Sequence, residues 1–446
     1  MTTIQLPEHS PLTKKDFLYG VATSSYQIEG DVSGRLPCIW DTFCATDGKI
    51  SDNTDGSVAC EHIKRMHEDV ELIASLGVDA YRFSISWPRV MNKDDSLNQA
   101  GMQFYLDLIA ALKAKGIVSH VTLYHWDLPQ HIEDEGGWLN RNTVYRFEKY
   151  AEAVAKAIGD KAASFATFNE PFCSAFLGYE IGVHAPGITG VSSGRTAAHH
   201  ILLAHGLGIK VLRKHCDSAK LGIVLNFTPC YAKTDSPEDI AATKHADEYI
   251  NQWYIKPLFD KSYPDVIEQL TPEERPPIQD GDFEIMAQKL DFLGINYYTR
   301  LFYSKAQSPD ELYFEHEHQQ PITDIGWEIY PQALTELLIS LNQKYALPPI
   351  YITENGAAMP DQDFKDGRVN DTDRIAYYHG HLNAVHTAIE QGVDIKGYFA
   401  WSLMDNFEWA EGLSKRFGIV HVDYDTQVRT PKASALAYKD LLLSRT

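Results

Sequence analysis

Residues 163–171, with the sequence ASFATFNEP, have the pattern of a buried β-strand that ends in a polar side chain. Its apolar, β-branched and aromatic residues are followed by Glu170 and then by a proline, which breaks regular structure. Residues 349–356, with the sequence PIYITENG, have the same order and carry Glu354 before a glycine. This placement is typical of a side chain exposed at the C-terminal end of a parallel strand.

Similar apolar runs recur along the chain, and stretches with helical periodicity separate them. The runs comprise residues 17–23, 80–86, 118–124, 164–169, 221–226, 292–298, 350–354 and 397–401. Clear helices span 61–76, 100–115 and 374–391, and each precedes a glycine, the residue preferred just past a helix C-terminus. Strands that alternate with helices indicate a parallel sheet, and eight pairs predict a closed (β/α)₈ TIM barrel.

The length of 446 residues fits one large barrel. Such a barrel needs about 250 residues, so roughly 200 remain for enlarged loops at the C-terminal face, where this fold builds its active site. No low-complexity linker or short repeat interrupts the chain, which predicts a single catalytic domain over residues 1–446. Residues 308–323, rich in Glu, His, Gln and Pro, are interpreted as a solvated excursion near the mouth.

Charge and cysteine usage narrow the class of protein. The chain has 40 Lys and Arg against 61 Asp and Glu, a net charge of −21, which opposes binding to nucleic acid or to anionic membranes. Its first ten residues lack a secretory signal pattern, and no apolar run approaches the ~18 residues that span a bilayer. Six cysteines without C-x-x-C spacing indicate reduced thiols. We therefore expect a cytoplasmic protein, and the oligomeric state stays open.

Polar and aromatic side chains cluster where the predicted strands end. They are Gln27, His125, Trp126, Asn169, Glu170, Asn296, Tyr298, Glu354, Trp401, Glu408 and Trp409. These side chains converge on one pocket only if the sheet closes. Amides and carboxylates suit sugar hydroxyl groups, and indole faces suit the C–H patches of a sugar ring. Two carboxylates at one end of a barrel are the minimum set of groups for hydrolysing a glycosidic bond.

The separated motifs resemble those of glycoside hydrolase family 1, the retaining β-glucosidases and β-glycosidases. The resemblance extends over residues 17–443 and rests on TFNEP at 167–171, ITENG at 352–356 and WSLMDNFEW at 401–409. It implies a barrel enzyme that acts on small β-glucosides with neither metal nor organic cofactor. It also implies a place in carbohydrate metabolism, including the degradation of cellulose and other polysaccharides.

The resemblance assigns different roles to the two glutamates. Glu354 is expected to be the nucleophile, and Glu170 the acid that protonates the leaving oxygen and later the base that activates water. Physical chemistry agrees, because the charge of one carboxylate raises the pKa of a neighbouring carboxyl, and esterification removes that charge. Retention requires carboxyl groups about 5 Å apart, whereas about 6.5–9.5 Å means inversion. The sequence does not give this separation, so retention is what the resemblance implies.

Three residues are expected to support the chemistry. Arg82 interrupts an apolar run, and a buried guanidinium must be paired. Beside Glu354 it would keep the nucleophile ionised, although a purely structural ion pair is the alternative. The resemblance places Tyr298 as a hydrogen-bond donor to Glu354 and Asn169 as the ligand of the sugar 2-hydroxyl.

The remaining predicted contacts concern the sugar ring. They are Gln27, His125, Trp126, Asn296, Trp401, Glu408 and Trp409, with Trp401 beneath the ring. Taken singly, His125 and the tryptophans could be ordinary core residues, and their neighbours favour the binding role. Glu408 is the position at which relatives specific for 6-phosphoglycosides have a small polar residue, so a carboxylate predicts an unphosphorylated glycone.

Other candidates are assigned weaker roles. Cys173, Leu177, His184, Asn226, Phe302 and Trp327 are expected to line the outer, aglycone side. His199, His200 and His205 are interpreted as packing and surface residues of a helix. His62 and His67 lack the i, i+4 spacing and carboxylate base of a zinc motif, so no metal site is predicted.

The sequence therefore predicts retaining hydrolysis of terminal non-reducing β-D-glucosyl residues. The expected substrates are cellobiose, cello-oligosaccharides and aryl or alkyl β-glucosides, with β-galactosidase or β-fucosidase side activity and transglycosylation. The alternatives are a 6-phospho-β-glycosidase and a non-catalytic sugar-binding protein on the same scaffold. Loss of one carboxylate would have favoured the binding protein, and both are present.

Overall fold

The computed structural model describes residues 2–308, 311–361, 364–365 and 367–446. Its centre is a closed barrel of eight parallel strands, in which neighbours in the chain are neighbours in the sheet and the last strand pairs with the first. The strands are β1 Leu18–Ala22, β2 Ala80–Ser84, β3 Val118–Tyr124, β4 Ser164–Asn169, β5 Lys220–Phe227, β6 Phe292–Tyr297, β7 Ile350–Asn355 and β8 Ile395–Trp401. The predicted TIM-barrel fold is confirmed.

A helix follows each strand, and most of these helices cover the outside of the barrel, whereas Pro237–Asp247 packs against the short strands Cys230–Ala232 and Leu301–Ser304. These helices are α1 His62–Leu76, α2 Gln99–Ala114, α3 Asn142–Ile158, α4 Val191–His215, α5 Pro237–Asp247, α6 Pro331–Lys344, α7 Thr372–Glu390 and α8 Ala433–Leu443. The predicted helices begin within two residues of their observed starts.

Shorter elements lie in the connections. The helical segments are Pro11–Thr13, Ser25–Ile28, Val32–Gly34, Ile39–Cys44, Trp87–Val90, Gln130–Asp134, Gly137–Leu139, Gly159–Lys161, Cys173–Leu177, Glu248–Gln252, Trp253–Phe259, Asp265–Gln269, Asp282–Met286 and Trp409–Glu411. The short strands are Cys230–Ala232, Leu301–Ser304, Phe314–Glu315, Phe364–Lys365, Arg368–Val369, Val420–Val422 and Arg429–Pro431.

Burial on both faces explains why the strands read as continuous apolar runs. Every residue of β4 and of β6 is buried, because side chains in the barrel interior pack on the inner face of the strands and helices pack on the outer face. A parallel register then aligns the polar residues at the strand ends. Asn296 lies opposite Asn226 on one side and Glu354 on the other. Ends of β5, β6 and β7 therefore meet at one rim.

The predicted excursion at 308–323 runs beside this rim. Pro309 and Asp310 lie outside the described residues, and the described part is mainly exposed or half-buried. The strand Phe314–Glu315 pairs with Leu301–Ser304, which brings Tyr313, Glu315 and His318 to the mouth of the barrel. Across the described ranges, none of the helices combines the length and apolarity needed to cross a membrane.

Candidate active site

A cavity of about 640 Å³ opens at the C-terminal end of the barrel strands. This size is typical of a small-molecule site. Most of the residues predicted from the strand ends line it, namely His125, Trp126, Glu170, Asn296, Tyr298, Glu354, Trp401, Glu408 and Trp409. Gln27 and Asn169 from the same set, and the predicted supporting residue Arg82, are buried and hydrogen-bond to lining side chains.

Glu354, at the end of β7, is held by two donors. Arg82 on β2 donates from Nη1 to Oε1 at 2.7 Å, and the Tyr298 hydroxyl donates to Oε2 at 2.7 Å. The ion pair is almost fully buried. Charge-assisted hydrogen bonds in a buried site fix the orientation of the carboxylate. The side chain is thus placed as an oriented anion facing the cavity.

Glu170, which follows β4, has a different environment. Asn296 donates from Nδ2 to Oε1 at 2.6 Å, and the Cys173 thiol donates to Oε2 at 2.9 Å. Burial and, secondly, the negative charge of Glu354 raise the pKa of Glu170 to about 7. The two carboxyl groups therefore differ in chemistry, because one is paired with a guanidinium and the other retains a proton near neutral pH.

Asn169 connects these two environments. Its Oδ1 accepts from Arg82 Nη2 at 2.6 Å and from Asn296 Nδ2 at 3.2 Å. Its Nδ2 lies 3.1 Å from Nε2 of His125. A continuous hydrogen-bonded chain thus runs from Glu354 through Arg82, Asn169 and Asn296 to Glu170. Groups linked in this way hold one another in position, and a single substitution disturbs several of them.

Glu408 lines the cavity, and Nε2 of Gln27 donates to its Oε2 at 3.4 Å. Burial, followed by the charges of Glu354 and Glu170, raises the pKa of Glu408 to about 8. The raised pKa favours the protonated carboxyl near neutral pH, and this form can both donate and accept a hydrogen bond. None of the described lining residues is Lys or Arg, which leaves the cavity without a cation for a phosphate group.

Aromatic rings form the wall beside the carboxylates. The ring of His125 stacks near those of Trp401 and Trp409, with centroids 5.9 Å apart in both pairs. Trp409 also packs against Trp126 at 4.5 Å. Trp126, Glu170 and Trp409 have φ values of +78°, +49° and +50°, a region that non-glycine residues rarely adopt. Such strain clusters at functional sites.

The predicted outer residues are placed in part as expected. Cys173, Leu177, His184, Asn226 and Trp327 line the cavity. Phe302 instead packs beside Tyr231 and under the Arg300 guanidinium, so it is not among the described lining residues. Phe302 lies on the strand Leu301–Ser304, which belongs to a separate small sheet that the sequence pattern did not reveal.

Sequence reasoning missed several lining residues. They include Phe172, Phe176, Tyr303, Tyr313, Glu315, His318, Glu411 and Phe417. Two signals were available: Phe172 and Phe176 closely follow Glu170, and Tyr313 to His318 belong to the excursion assigned to the mouth.

The helical histidines pack as predicted, but they are buried and none is a surface residue. His199 contacts Asp282, His200 contacts the Trp138 carbonyl, and His205 contacts Thr167. Within the described chain, the group compatible with a metal ion is Asp361, Asp405 and His421. Lys432 Nζ lies 3.0 Å from Asp361 and 2.8 Å from Asp405, so a protein cation already neutralises these carboxylates.

Two unlike carboxylates at the rim of a (β/α)₈ barrel are the architecture of a glycoside hydrolase. Comparison with known proteins agrees, because the sequence profile of glycosyl hydrolase family 1 matches residues 10–446. The chain belongs to glycosyl hydrolase family 1.

Individual relatives match along almost their whole length. A β-glucosidase from an Agrobacterium species is 43% identical over 434 residues, covering 96% of this chain and 94% of the relative. β-Glucosidase A from Thermotoga maritima is 42% identical over 431 residues, covering 96% of both chains. The crystal structure of the family 1 β-glucosidase from Exiguobacterium antarcticum superimposes with a TM-score of 0.93 at 43% identity, over 97% of this chain and 98% of that one.

Proposed function

We propose that this glycoside hydrolase is a retaining β-glucosidase that removes terminal non-reducing β-D-glucosyl residues in two displacements. The observation that carries the proposal is the contrast between Glu354, paired with Arg82, and Glu170, whose pKa is raised to about 7. One carboxyl group is prepared to act as a nucleophile and the other as an acid.

In the first displacement, an oxygen of Glu354 attacks the anomeric carbon while Glu170 donates its proton to the glycosidic oxygen. The C1–O bond breaks, the alcohol leaves and an ester links the sugar to Glu354. Arg82 and Tyr298 orient the attacking oxygens through their 2.7 Å bonds. Asn169 is the proposed ligand of the 2-hydroxyl, an interaction that strengthens in the transition state, and its hydrogen bonds with Arg82 and Asn296 support this role by fixing its amide.

In the second displacement, Glu170 accepts a proton from water, and the water oxygen attacks the anomeric carbon. The bond to Glu354 breaks and the carboxylate is regenerated. Esterification has removed the charge of Glu354, so the pKa of Glu170 falls and the group can act as a base. An alcohol in place of water would yield transglycosylation.

The glycone is proposed to be unphosphorylated glucose, with galactose or fucose as secondary substrates. Glu408 lines the cavity, and the buried amide of Gln27 donates to its Oε2. Five of the described lining residues are glutamates, and none is Lys or Arg. Cellobiose, cello-oligosaccharides and aryl or alkyl glucosides are the proposed substrates.

The function is tested by following hydrolysis of 4-nitrophenyl β-D-glucoside by ¹H NMR. We expect β-glucose to form first and α-glucose to follow by mutarotation. Initial formation of α-glucose would show inversion and contradict the two-step mechanism. Turnover of the 6-phosphate derivative alone would establish the phosphoglycosidase alternative. Binding of glucose without turnover of either substrate would favour the sugar-binding protein.

A further inference from the structure

The acid–base carboxyl group has a thiol on one of its oxygens. Sγ of Cys173 lies 2.9 Å from Oε2 of Glu170, and Nδ2 of Asn296 lies 2.6 Å from Oε1. Each oxygen of Glu170 therefore has one protein partner. An amide nitrogen can only donate, whereas a thiol donates weakly through S–H and accepts weakly through sulfur.

The backbone holds this thiol in place. Cys173 begins the π-helical turn Cys173–Leu177, three residues after Glu170, and its N–H donates to the Glu170 carbonyl at 3.0 Å. The residue is 7% exposed and lines the cavity. Backbone and side chain of the cysteine thus both contact Glu170, which leaves the thiol little freedom to turn away.

The thiol is protonated throughout the range in which Glu170 titrates. Burial, followed by the charge of Glu170, raises the pKa of Cys173 well above the ordinary value of a thiol. A protonated, buried thiol is a poor nucleophile and a poor target for oxidation. Its chemistry at this position is therefore hydrogen bonding to Glu170.

We propose that Cys173 is a positioning residue that holds Oε2 of Glu170 in both protonation states of the catalytic cycle. The S–H donates when Glu170 is a carboxylate, and the sulfur accepts when Oε2 carries the proton. Because sulfur bonds are weak, the proton is readily transferred to a glycosidic oxygen that enters the site. Asn296 holds Oε1 in both states and cannot accept the proton.

The proposal rests on the proposed function, in which Glu170 is the acid and base. The pH dependence that Cys173 gives to Glu170 must be distinguished from that caused by the other titratable and charged groups that face Glu170 from neighbouring elements. These groups are Arg82 on β2, His125 after β3, Tyr298 after β6, Glu354 on β7 and Glu408 after β8. A change at Cys173 leaves all of them in place, so a variant at this position isolates the contribution of the thiol.

The test compares Cys173→Ala and Cys173→Ser with the wild type on two substrates. Methyl β-D-glucoside needs a proton on its leaving oxygen, and 2,4-dinitrophenyl β-D-glucoside does not. For Cys173→Ala we expect kcat/KM to fall about tenfold with the methyl glucoside and to change less than about twofold with the dinitrophenyl glucoside. We expect the pKa of the alkaline limb to rise, because the donor that stabilises the carboxylate is removed. Cys173→Ser should restore most of the activity.

Cys216→Ala is the matched control, since Cys216 is also a buried free thiol but lies just beyond α4. We expect its two kcat/KM values and its pH profile to equal those of the wild type. Equal losses on both substrates in Cys173→Ala, or no loss on either, would overturn the positioning role. A wild type inactive on both glucosides would instead contradict the proposed function, and the role of Cys173 with it.

Discussion

Arg82 and Glu354 form a buried ion pair with a distance of 2.7 Å between Nη1 and Oε1. Only 3% and 4% of the two side chains are exposed, so neither charge can be compensated by water if its partner is removed. The pair lies on β2 and β7, which do not neighbour each other in the barrel. It therefore ties distant strands together and orients the proposed nucleophile.

Replacement of this guanidinium is expected to impair activity and stability together. Arg82→Met leaves Glu354 buried without its cation and removes a donor to Asn169. We expect kcat to fall by about 100-fold or more and the free energy of unfolding to fall by about 3–5 kcal/mol. Steady-state kinetics and urea denaturation measure the two effects.

The matched control for this substitution is Arg445→Met. Arg445 pairs with Asp79 at 2.7 Å, at the opposite end of the barrel, where Asp79 precedes β2. We expect lower stability and unchanged kcat. Equal kcat values for Arg82→Met and the wild type would show that the Arg82 pair is purely structural.

Protein stability should depend on pH through Glu170. Its folded-state pKa of about 7 lies above the ordinary value of 4.5, so the folded protein binds more protons than the unfolded chain between these values. Stability from this group is therefore highest below about pH 4.5 and falls as the pH rises to about 7. Glu170→Gln removes the cost of ionising a buried carboxyl group. We expect this substitution to stabilise the protein by on the order of 2–3 kcal/mol more at pH 8 than at pH 4.5.

Urea denaturation of wild type and Glu170→Gln at the two pH values measures this difference. Glu148→Gln serves as the control, because Glu148 is a partly exposed residue of α3. An equal effect of Glu170→Gln at both pH values would contradict the raised pKa.

A methyl group at Gly356 should displace Trp401. A Cβ at this position would lie 1.6 Å from the Trp401 carbonyl oxygen, which is a backbone atom and cannot rotate away. We expect Gly356→Ala to destabilise the protein by roughly 1–3 kcal/mol and to raise KM for the glucoside, because Trp401 lines the cavity. Thermal unfolding and steady-state kinetics test both effects.

Gly206→Ala provides the comparison, since its Cβ would lie 1.9 Å from the Ile285 carbonyl oxygen on the outside of the barrel. We expect the Gly206→Ala variant to be less stable than the wild type and to have the same KM. If Gly356→Ala leaves KM unchanged while it destabilises the protein, the position of Trp401 does not contribute to binding.

The indole of Trp409 is expected to contribute to sugar binding as well as packing. Its ring lies 4.6 Å from Trp40 and 4.5 Å from Trp126, measured between centroids, and it lines the cavity. Trp409→Phe should raise KM by roughly tenfold through lost contact area and a lost N–H donor. Trp138→Phe, at a buried position outside the lining residues described, should leave KM unchanged. Equal KM values for the two variants would contradict the binding role.

The sequence was sufficient for the barrel because burial on both faces leaves a strong local pattern. The run predicted at 164–169 coincides with β4, and that predicted at 118–124 coincides with β3. Tyr298 lies just beyond its strand instead of within it, since β6 ends at Tyr297. Strand ends are less well determined than strand cores, because they merge with the loops that build the site.

Contacts between distant segments could be predicted less completely. The pairing of Arg82 with Glu354 was anticipated because a buried guanidinium requires an anion. The contact of Asn296 with Glu170 and the thiol of Cys173 on the same carboxyl group depend on side-chain positions that no local pattern specifies. The raised pKa of Glu408 likewise depends on its burial and on the nearby charges of Glu354 and Glu170, which no local pattern specifies.

The most direct test of the central claim is azide rescue of Glu354→Ala with 4-nitrophenyl β-D-glucoside as substrate. The variant should release almost no nitrophenol, and added azide should restore turnover and produce α-glucosyl azide. That product shows azide attacking from the face that Glu354 occupies. Full activity of the variant without azide would remove Glu354 from the mechanism, and rescue that produces β-glucosyl azide would contradict its role as nucleophile.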